Sequence, residues 1–122
     1  HLCLGRCAMR LKSEIWVKAY LRRCVAHGAM AVVVRHGDDD GGAIFIKIRR
    51  GDGLAAVFAP APAGLDDADF DRRWAPVLKG AFVMEGDADQ YLARQMSFDS
   101  DLWIIEVEDR EGRAFLADEL AP

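Results

Sequence analysis

Polar and apolar residues over positions 13–27 alternate with the period of a helix. Trp16 and Tyr20 fall on one stripe when successive residues are turned by roughly 100°. Ser13 is placed to cap the start of this helix, and Gly28 can adopt the left-handed conformation that ends it. The pattern therefore predicts an amphipathic helix that packs one side against a core.

Three short segments rich in β-branched residues follow this helix. The sequence GDDDGG separates the first two segments and RGDG separates the second from the third. Asp and Gly in such turns provide the positive φ angles that tight hairpins need. Isoleucines occupy every second position of the middle segment, so one face of that strand is predicted to point into the core. The predicted structure is a three-stranded meander of Met30–Arg35, Ala43–Arg49 and Leu54–Ala59.

The chain is then predicted to leave the sheet and return in a short extended segment. Residues 60–71, with the sequence PAPAGLDDADFD, are typical of an exposed loop. Arg72–Leu78 is predicted to be extended, and Pro76 within it cannot donate a hydrogen bond to a neighbouring strand. We therefore expect Arg72–Leu78 to be an edge strand.

A second helix and a closing hairpin are predicted in the last third of the chain. Asp87 and Gln90 have the spacing of a capping box, and apolar residues at helical spacing follow, which predicts a helix over residues 88–98. Leu102–Glu108 is the strongest strand pattern in this part of the chain. The turn DREG is predicted to pair this strand with Arg113–Leu116.

These elements predict one α+β domain. The expected order is helix, three-stranded meander, edge strand, helix and hairpin. This order gives an antiparallel sheet of about five or six strands with two helices packed on one face. A chain of 122 residues has the usual size of a single domain. We assign residues 9–122 to that domain, because residues 1–8 precede a natural start at Met9 and are predicted to be a flexible N-terminal appendage.

Composition is that of an ordinary globular protein. The longest apolar run covers residues 29–34, far short of the roughly 20 residues that cross a bilayer. Residues 1–8 lack the pattern of a secretory signal, and three cysteines do not form the framework of a small secreted domain. We therefore expect a cytoplasmic protein with reduced thiols and no membrane-spanning segment.

The formal charge of −4 is unevenly distributed along the chain. Residues 1–61 contain ten Lys or Arg against five Asp or Glu, a net charge of +5, whereas residues 62–122 contain six against fifteen, a net charge of −9. If the two halves stay apart in space, the protein has a basic and an acidic pole, which suits association with a partner. If the fold instead interleaves the two halves, their electrostatic fields cancel. Runs of charged residues are usually just solvated surfaces.

One group of residues has the ligand types of a structural zinc site. Cys3, Cys7, Cys24 and His27 form a C-x3-C pair and a C-x2-H pair. Cys24 and His27 fit the core-facing stripe of the first helix equally well, and the two other cysteines belong to the predicted appendage. We therefore expect neither a metal nor another cofactor.

Acidic residues suggest a second kind of chemistry. The three aspartates of GDDDGG resemble part of a loop that binds calcium or magnesium, but a solvated turn is the simpler interpretation. Glu106, Glu108 and Asp109 of EVED, with Lys47 across the sheet, would suit a nuclease-like metal site if these side chains met. The sequence contains no Walker loop, G-x-G-x-x-G, G-x-S-x-G or H-E-x-x-H motif. The candidate catalytic residues are His36, Asp39, Asp40, Glu106 and Glu108.

Two long strings carry a family resemblance. MRLKSEIWVKAYLRRC at residues 9–24 and YLARQMSFDSDLWIIEVEDREGR at residues 91–113 resemble the signatures of domain-of-unknown-function family 1491, which consists of short alphaproteobacterial proteins. With AIFIKI after the Gly- and Asp-rich turn, the resemblance covers the chain from Met9 to about Leu116. It implies no activity, cofactor or catalytic residue.

We interpret the chain as a non-catalytic protein-binding or adaptor module that engages an unidentified protein or a second copy of itself. The charge asymmetry, the acidic loop and the lack of a catalytic motif favour this interpretation. The alternative is a small metal-dependent hydrolase or nuclease, so enzymatic activity stays open but is not favoured. The acidic second half disfavours nucleic acid as a partner. The predicted binding residues are Lys18, Arg22, Lys47 and Arg49.

Overall fold

The computed structural model describes residues 11–61 and 72–120 and has an α+β fold, as predicted. Two helices and six strands form it. Residues 1–10 and most of the predicted exposed loop, residues 62–71, lie outside the described part. In chain order the elements are α1 (Ser13–Ala26), β1 (Met30–Arg35), β2 (Ile44–Arg49), β3 (Leu54–Pro60), β4 (Trp74–Pro76), β5 (Val83–Met84), α2 (Glu85–Phe98), β6 (Trp103–Glu108) and a 3-10 turn (Ala117–Glu119).

The six strands form one mostly antiparallel sheet in the order β1-β6-β2-β3-β4, and β5 pairs with β3. β2 and β6 are parallel neighbours, while the other pairs are antiparallel. The predicted meander is therefore correct for β2 and β3 but wrong for β1 and β2, because β6 lies between them.

Burial explains why β6 occupies the centre of the sheet. Five of the six residues of β2 are buried, as are four of the six residues of β6. A strand with apolar residues on both faces is most stable in the interior of a sheet. β1 instead alternates between exposed and half-buried residues, which suits an edge. The parallel pairing requires a long crossover, and the chain from β3 to α2 provides it.

The two helices pack on opposite faces of the sheet, so the expectation that both cover one face is wrong. α1 packs on the face that carries Ile46 and Ile105, together with Trp74. α2 packs on the other face, against residues such as Val57 and Ile104. The reason is that the central strands are apolar on both sides, and each side needs its own cover.

The ends of both helices depart in part from the predicted caps. Gly28 has a φ of 86° just after α1, as expected. Ser13 is not a cap, since its Oγ donates a hydrogen bond of 2.7 Å to the carbonyl of Gly42. α2 begins at Glu85, so Asp87 lies inside the first turn and the predicted capping box does not form.

The closing hairpin is not formed. Residues 113–116 have no strand structure and instead lie against α1. The hydroxyl of Tyr20 donates to the carbonyl of Ala114 over 2.7 Å, and Arg23 Nη1 donates to the carbonyl of Phe115 over 2.7 Å. These bonds replace the predicted pairing with β6, whose two sides are already occupied by β1 and β2.

The predicted edge strand is present as β4, which pairs with β3 and contains only three residues. Trp74 fixes it to the core, because its buried indole donates a hydrogen bond of 3.0 Å to the carbonyl of Ile44 and stacks on Trp16. Pro76 ends the strand, and an isolated bridge joins Trp74 to Leu120.

Candidate functional site

Charged side chains form a compact group under α2, which we call the Lys47 cluster. Lys47 is only 4% exposed, and its Nζ lies 2.8 Å from Glu85 Oε2 and 2.6 Å from Asp89 Oδ1. Arg49 Nε lies 2.8 Å from Glu85 Oε2 as well. Two carboxylates of β6 complete the group at longer distances. The members are Lys47, Arg49, Glu85, Asp89, Glu106 and Glu108.

Strand register and helix periodicity bring these residues together. In the parallel pair β2–β6, Lys47 lies opposite Glu106 and Arg49 lies opposite Glu108. Residues at positions i and i+4 of a helix share one side, so α2 presents Glu85 and its neighbour one turn later to the sheet. The cluster is thus built from three elements that are far apart in sequence.

The electrostatics of the cluster keep Lys47 protonated. Burial lowers the pKa of Lys47, but the hydrogen bonds to Asp89 and Glu85 and the negative charges of Asp89 and Glu106 together raise it by more, so its pKa lies above the usual value. The hydrogen bond from Lys47 is the largest cause that holds the pKa of Glu85 below its usual value. A protonated lysine surrounded by carboxylates is neither a nucleophile nor a general base. The arrangement therefore suits a structural ion-pair network.

The candidate catalytic residues fall into two groups. Glu106 and Glu108 belong to the Lys47 cluster. His36, Asp39 and Asp40 instead lie beyond β1, where His36 Nε2 is 2.6 Å from Asp39 Oδ1 and the imidazole lies 4.1 Å from the ring of Trp103 at the start of β6. The structure does not bring the two groups into one concavity.

The GDDDGG turn provides hydrogen-bond acceptors for the first backbone N–H groups of α1. The carbonyls of Asp39 and Asp40 accept hydrogen bonds from the backbone N–H groups of Glu14 and Ser13. Asp38 closes the turn, since its Oδ2 accepts hydrogen bonds from two following backbone N–H groups. Four N–H groups at a helix start have no partner within the helix, and the turn satisfies two of them. These aspartates thus have a structural role that the sequence pattern did not reveal.

The residues considered for zinc are only partly described. Cys24 is a buried member of the core, and burial raises the pKa of its thiol. His27 stacks on Phe115. Cys3 and Cys7 lie outside the described residues. Within residues 11–61 and 72–120, no group of three or more His, Cys, Asp or Glu side chains is arranged to hold a metal ion.

The predicted binding residues do not share a surface. Lys18 and Arg22 are exposed on α1, on one side of the sheet. Lys47 and Arg49 lie on the opposite face, beneath α2. The two halves of the chain are interleaved here, so acidic residues of the second half neutralise basic residues of the first. The single basic surface required by the predicted basic pole therefore does not form, and a binding role for these residues stays a prediction.

An edge of the sheet carries an apolar surface that sequence reasoning missed. Met30, Val32 and Val34 are 68%, 53% and 57% exposed, and they occupy alternate positions of β1. We call these three residues the β1 ridge. The run MAVVV predicted only a strand, and no signal in it distinguishes an edge strand from a central one. Only the insertion of β6 puts β1 at the edge.

The described residues contain no helix that is long and apolar enough to cross a membrane. Near the end of the chain, a shallow cavity of about 550 Å³ is lined by residues such as Arg23 and Phe115. Its polar groups are already paired, since Arg23 Nη1 lies 2.6 Å from Glu119 Oε1. The cavity therefore offers few free polar groups to a ligand.

Comparison with known proteins places the chain in a family. It is similar to a DUF1491 family protein from Caulobacter crescentus CB15, whose crystal structure at 1.87 Å matches with 38% identity and a TM-score of 0.77 over 91% of this chain and 99% of that chain. An NMR structure of a DUF1491 family protein from the same organism matches with 37% identity and a TM-score of 0.77, over 94% and 100% of the two chains.

A third similar structure is the solution structure of protein Atu0922 from A. tumefaciens, with 39% identity and a TM-score of 0.71 over 82% of this chain and 86% of that chain. No curated protein matches the chain. The family model for a protein of unknown function, DUF1491, matches residues 11–117. The chain therefore belongs to the DUF1491 family, as its signature strings suggested.

Proposed function

We propose that this protein is a non-catalytic protein-binding module and that it binds an extended segment of a protein partner along β1. In this mode of recognition the added segment forms main-chain hydrogen bonds with the edge of a sheet, while alternate side chains provide specificity. The observation that carries the proposal is the β1 ridge on an edge strand.

The edge of β1 is open in the part of the chain that the structure describes. β6 is the only described strand that pairs with β1, so the other side of β1 presents backbone N–H and C=O groups to the surroundings. Proteins usually protect such an edge with charged residues, proline, short strands or a covering element. β1 has six residues and no proline, and both its charged residue, Arg35, and the irregularity between Val33 and Arg35 lie at one end of the strand, so Met30 to Val33 form a regular, uncharged edge.

The opposite edge of the same sheet is shorter and more fully protected than the edge at β1. β4 is only three residues long and ends in Pro76, which cannot donate to another strand. An isolated bridge from Trp74 to Leu120 covers part of that edge as well. The contrast within one molecule indicates that the open apolar edge at β1 is a specific feature, which supports a binding role.

The side chains of the β1 ridge strengthen this interpretation. Single exposed apolar residues are common on protein surfaces, but a continuous apolar strip is typical of an interaction site. Met30, Val32 and Val34 form such a strip, and α2 leaves it uncovered because that helix packs on β2, β3 and β5. Each valine or methionine that becomes fully buried on binding contributes about 1.5–3 kcal/mol before the cost of association is subtracted.

The alternative, a metal-dependent hydrolase or nuclease, has less support in the geometry. Its carboxylates Glu106 and Glu108 face Lys47 and Arg49, and His36 lies away from them. A catalytic site needs its ionisable groups to converge on a common position. The described residues provide no such convergence.

Site-specific crosslinking tests the proposal. A photo-crosslinking amino acid in place of Val32 is expected to capture a partner in an alphaproteobacterial host, and mass spectrometry should map the crosslink to an extended segment. The matched control is the same amino acid in place of Val25, which is 62% exposed on α1. Equal yields at the two positions, or none at either, would overturn the proposal.

A further inference from the structure

We propose that α1 carries a binding site for a short acidic segment of a partner protein and that this chain's own residues 114–120 hold the site closed. We call residues 114–120 the clasp. The site lies on a different element from the β1 ridge and does not depend on strand addition there.

Aromatic rings and a guanidinium group form the surface of α1 beneath the clasp. The ring centre of Trp16 lies 4.9 Å from that of Tyr20 and 4.3 Å from that of Trp74. The guanidinium of Arg23 lies 5.9 Å from the ring of Trp16 and 5.6 Å from the ring of Tyr20, which is within the range of a cation–π contact. Trp, Tyr and Arg are the residue types that contribute most at the centres of protein interfaces. The surface beneath the clasp therefore has the composition of a binding site.

Two side chains of α1 hold the main chain of the clasp. The hydroxyl of Tyr20 donates to the carbonyl of Ala114, and Arg23 Nη1 donates to the carbonyl of Phe115, both over 2.7 Å. Every peptide segment carries such carbonyl groups, so these two contacts do not require the side chains of the clasp. They position a segment on α1 and leave its selection to other contacts.

A carboxylate and an apolar side chain provide that selection. The two oxygens of Glu119 each have a donor, since Oε2 lies 3.0 Å from Trp16 Nε1 and Oε1 lies 2.6 Å from Arg23 Nη1. Hydrogen bonds between charged groups are stronger than those between neutral groups. Residues three apart in a 3-10 turn lie on the same side, so Leu116, which is 2% exposed, also faces α1. The site therefore fits a segment that carries an apolar residue three positions before a carboxylate.

The clasp fits this site imperfectly. Phe115 has a φ of 58°, in a region that bulky residues rarely adopt and that is typical of binding and switch segments. The shallow cavity of about 550 Å³ lies between the clasp and residues such as Arg23 and His27. A partner segment with a larger side chain in place of Ala117, which lines this cavity, would make contacts that the clasp does not make.

The clasp can open without unfolding of the sheet. Residues 113–116 belong to no helix or strand, and Gly112 just before them has a φ of 72°, which gives the chain a turn at that point. Segments that are held mainly by side-chain contacts open at a lower free energy than central strands. A short tether keeps the clasp near α1 at an effective concentration of about millimolar, so a partner has to compete with it. The clasp thus acts as an autoinhibitory contact.

A synthetic peptide tests whether the site accepts a segment that is not part of the same chain. The peptide is RAFLADEL, the sequence of residues 113–120, and the protein is the full chain with Glu119→Lys, which weakens the clasp by placing two cations together. We expect this variant to bind the peptide at least about tenfold more tightly than the wild type, whose own clasp competes. Glu119→Ala, which removes the carboxylate without adding a charge, is the second variant and has the same expectation. Circular dichroism and melting temperature establish that each variant is folded.

The matched control is the same peptide with Gln in place of its Glu. It should bind the variants about tenfold more weakly, because it lacks the charge that Arg23 recognises.

The indole N–H signals in an NMR spectrum locate the binding. The Trp16 signal is expected to move in Glu119→Lys and to return towards its wild-type position as the peptide saturates the variant. The Trp103 indole donates to the carbonyl of Asp38 over 2.8 Å, is not in contact with the clasp, and should stay unchanged as the internal control.

Hydrogen exchange tests the opening of the clasp in the wild-type protein. The amide of Glu119 donates to the carbonyl of Leu116 over 2.7 Å. We expect it to exchange at least about 100-fold faster than the slowest amides of β2, because its opening does not require unfolding of the sheet.

Four results would each overturn the proposal. They are a Glu119 amide that exchanges as slowly as those of β2, no tighter peptide binding by the folded variants than by the wild type, equal binding of the Gln peptide, and an unmoved Trp16 signal. A variant that dimerises and ignores the peptide would show that a second copy supplies the segment, which refutes a partner protein as well. Strand addition at β1 is tested separately by the crosslink at position 32.

Discussion

Replacing Lys47 with methionine isolates the contribution of its charge, because methionine keeps most of the aliphatic length and removes the ammonium group. In the wild-type protein Nζ lies 2.8 Å from Glu85 and 2.6 Å from Asp89, and Lys47 is 4% exposed. Without the ammonium group, these two carboxylates and Glu106 face each other with Arg49 as their remaining cation. We expect Lys47→Met to destabilise the fold at neutral pH.

The burial of Lys47 and of its carboxylate partners determines how much stability Lys47→Met removes. Removing one member of a fully buried ion pair costs about 3–5 kcal/mol. The carboxylates here keep some contact with water, since the side chains of Glu85, Asp89 and Glu106 are 30%, 57% and 29% exposed. We therefore expect a loss of about 2–3 kcal/mol in the free energy of unfolding. The control is Lys18→Met, whose exposed pair with Glu14 is worth under about 0.5 kcal/mol.

The cost of Lys47→Met should depend on pH in a defined direction. The pKa of Glu85 is lowered in the folded protein, mainly by the hydrogen bond from Lys47. A carboxyl group with a lowered pKa stabilises the fold above its unfolded value of 4.5, and this contribution is lost as the pH falls through the folded pKa. The difference between wild type and variant should thus be full at neutral pH and shrink as the carboxyls become protonated.

Urea unfolding of the wild type and both variants, at neutral pH and at about pH 3, measures these differences. The reasoning would be refuted if Lys47→Met were no more destabilising than Lys18→Met at neutral pH. A large difference that persisted unchanged at the acidic pH would also refute it, because the cost would then come from packing and not from charge.

Two further predictions concern buried positions away from the cluster. Asp109 is 6% exposed and accepts hydrogen bonds from Arg113, the largest cause that lowers its pKa from 3.8 to about 2. Asp109→Asn should cost about 1–2 kcal/mol at neutral pH, after allowance for solvent screening at the guanidinium, and the difference should vanish as the pH falls from about 4 to about 2. Gly42→Ala should destabilise by about 2 kcal/mol or more, because its Cβ would clash with the carbonyl oxygen of Asp101. Gly41→Ala, where the same atom meets open space, should be neutral within about 0.5 kcal/mol in the same urea titration.

Local sequence patterns predicted most elements but not their arrangement. The first helix, β1 to β3 and β6 lie within a residue or two of their predicted bounds, because alternation and turn residues act locally. The insertion of β6 between β1 and β2 depends instead on which strands bury both faces. A partial signal exists in Leu102–Ile105, where four consecutive buried apolar residues indicate a central strand.

The candidate site was harder to predict than the fold, because it also depends on how the elements are arranged and on which faces they cover. Lys47 was interpreted as a solvent-facing binding residue, since it alternates with isoleucines on β2. Its burial follows from α2 covering that face, which no local pattern reveals. Phe45 lies two positions before Lys47 and therefore on the same face of β2. A large aromatic side chain on that face indicates that another element covers it.

The charges of the cluster also specify the register of the central strands. In the observed pairing Lys47 lies opposite Glu106 and Arg49 lies opposite Glu108. A slip of one residue would turn the charged side chains of one strand to the other face of the sheet. A slip of two residues in one direction would place Arg49 opposite Arg110, and in the other direction Lys47 would lie opposite Ile104.

Each of these slips thus leaves a cation of β2 beside an apolar residue or another cation, at a cost that correct pairing avoids. The uneven charge of the two halves of the chain has its structural explanation here. Cations on β2 and carboxylates on β6 and α2 identify the correct neighbours among strands that are otherwise alike in apolar content. Charged residues that already pair inside the Lys47 cluster are not free to bind a partner. The proposal of a binding surface for an added strand therefore rests on the β1 ridge.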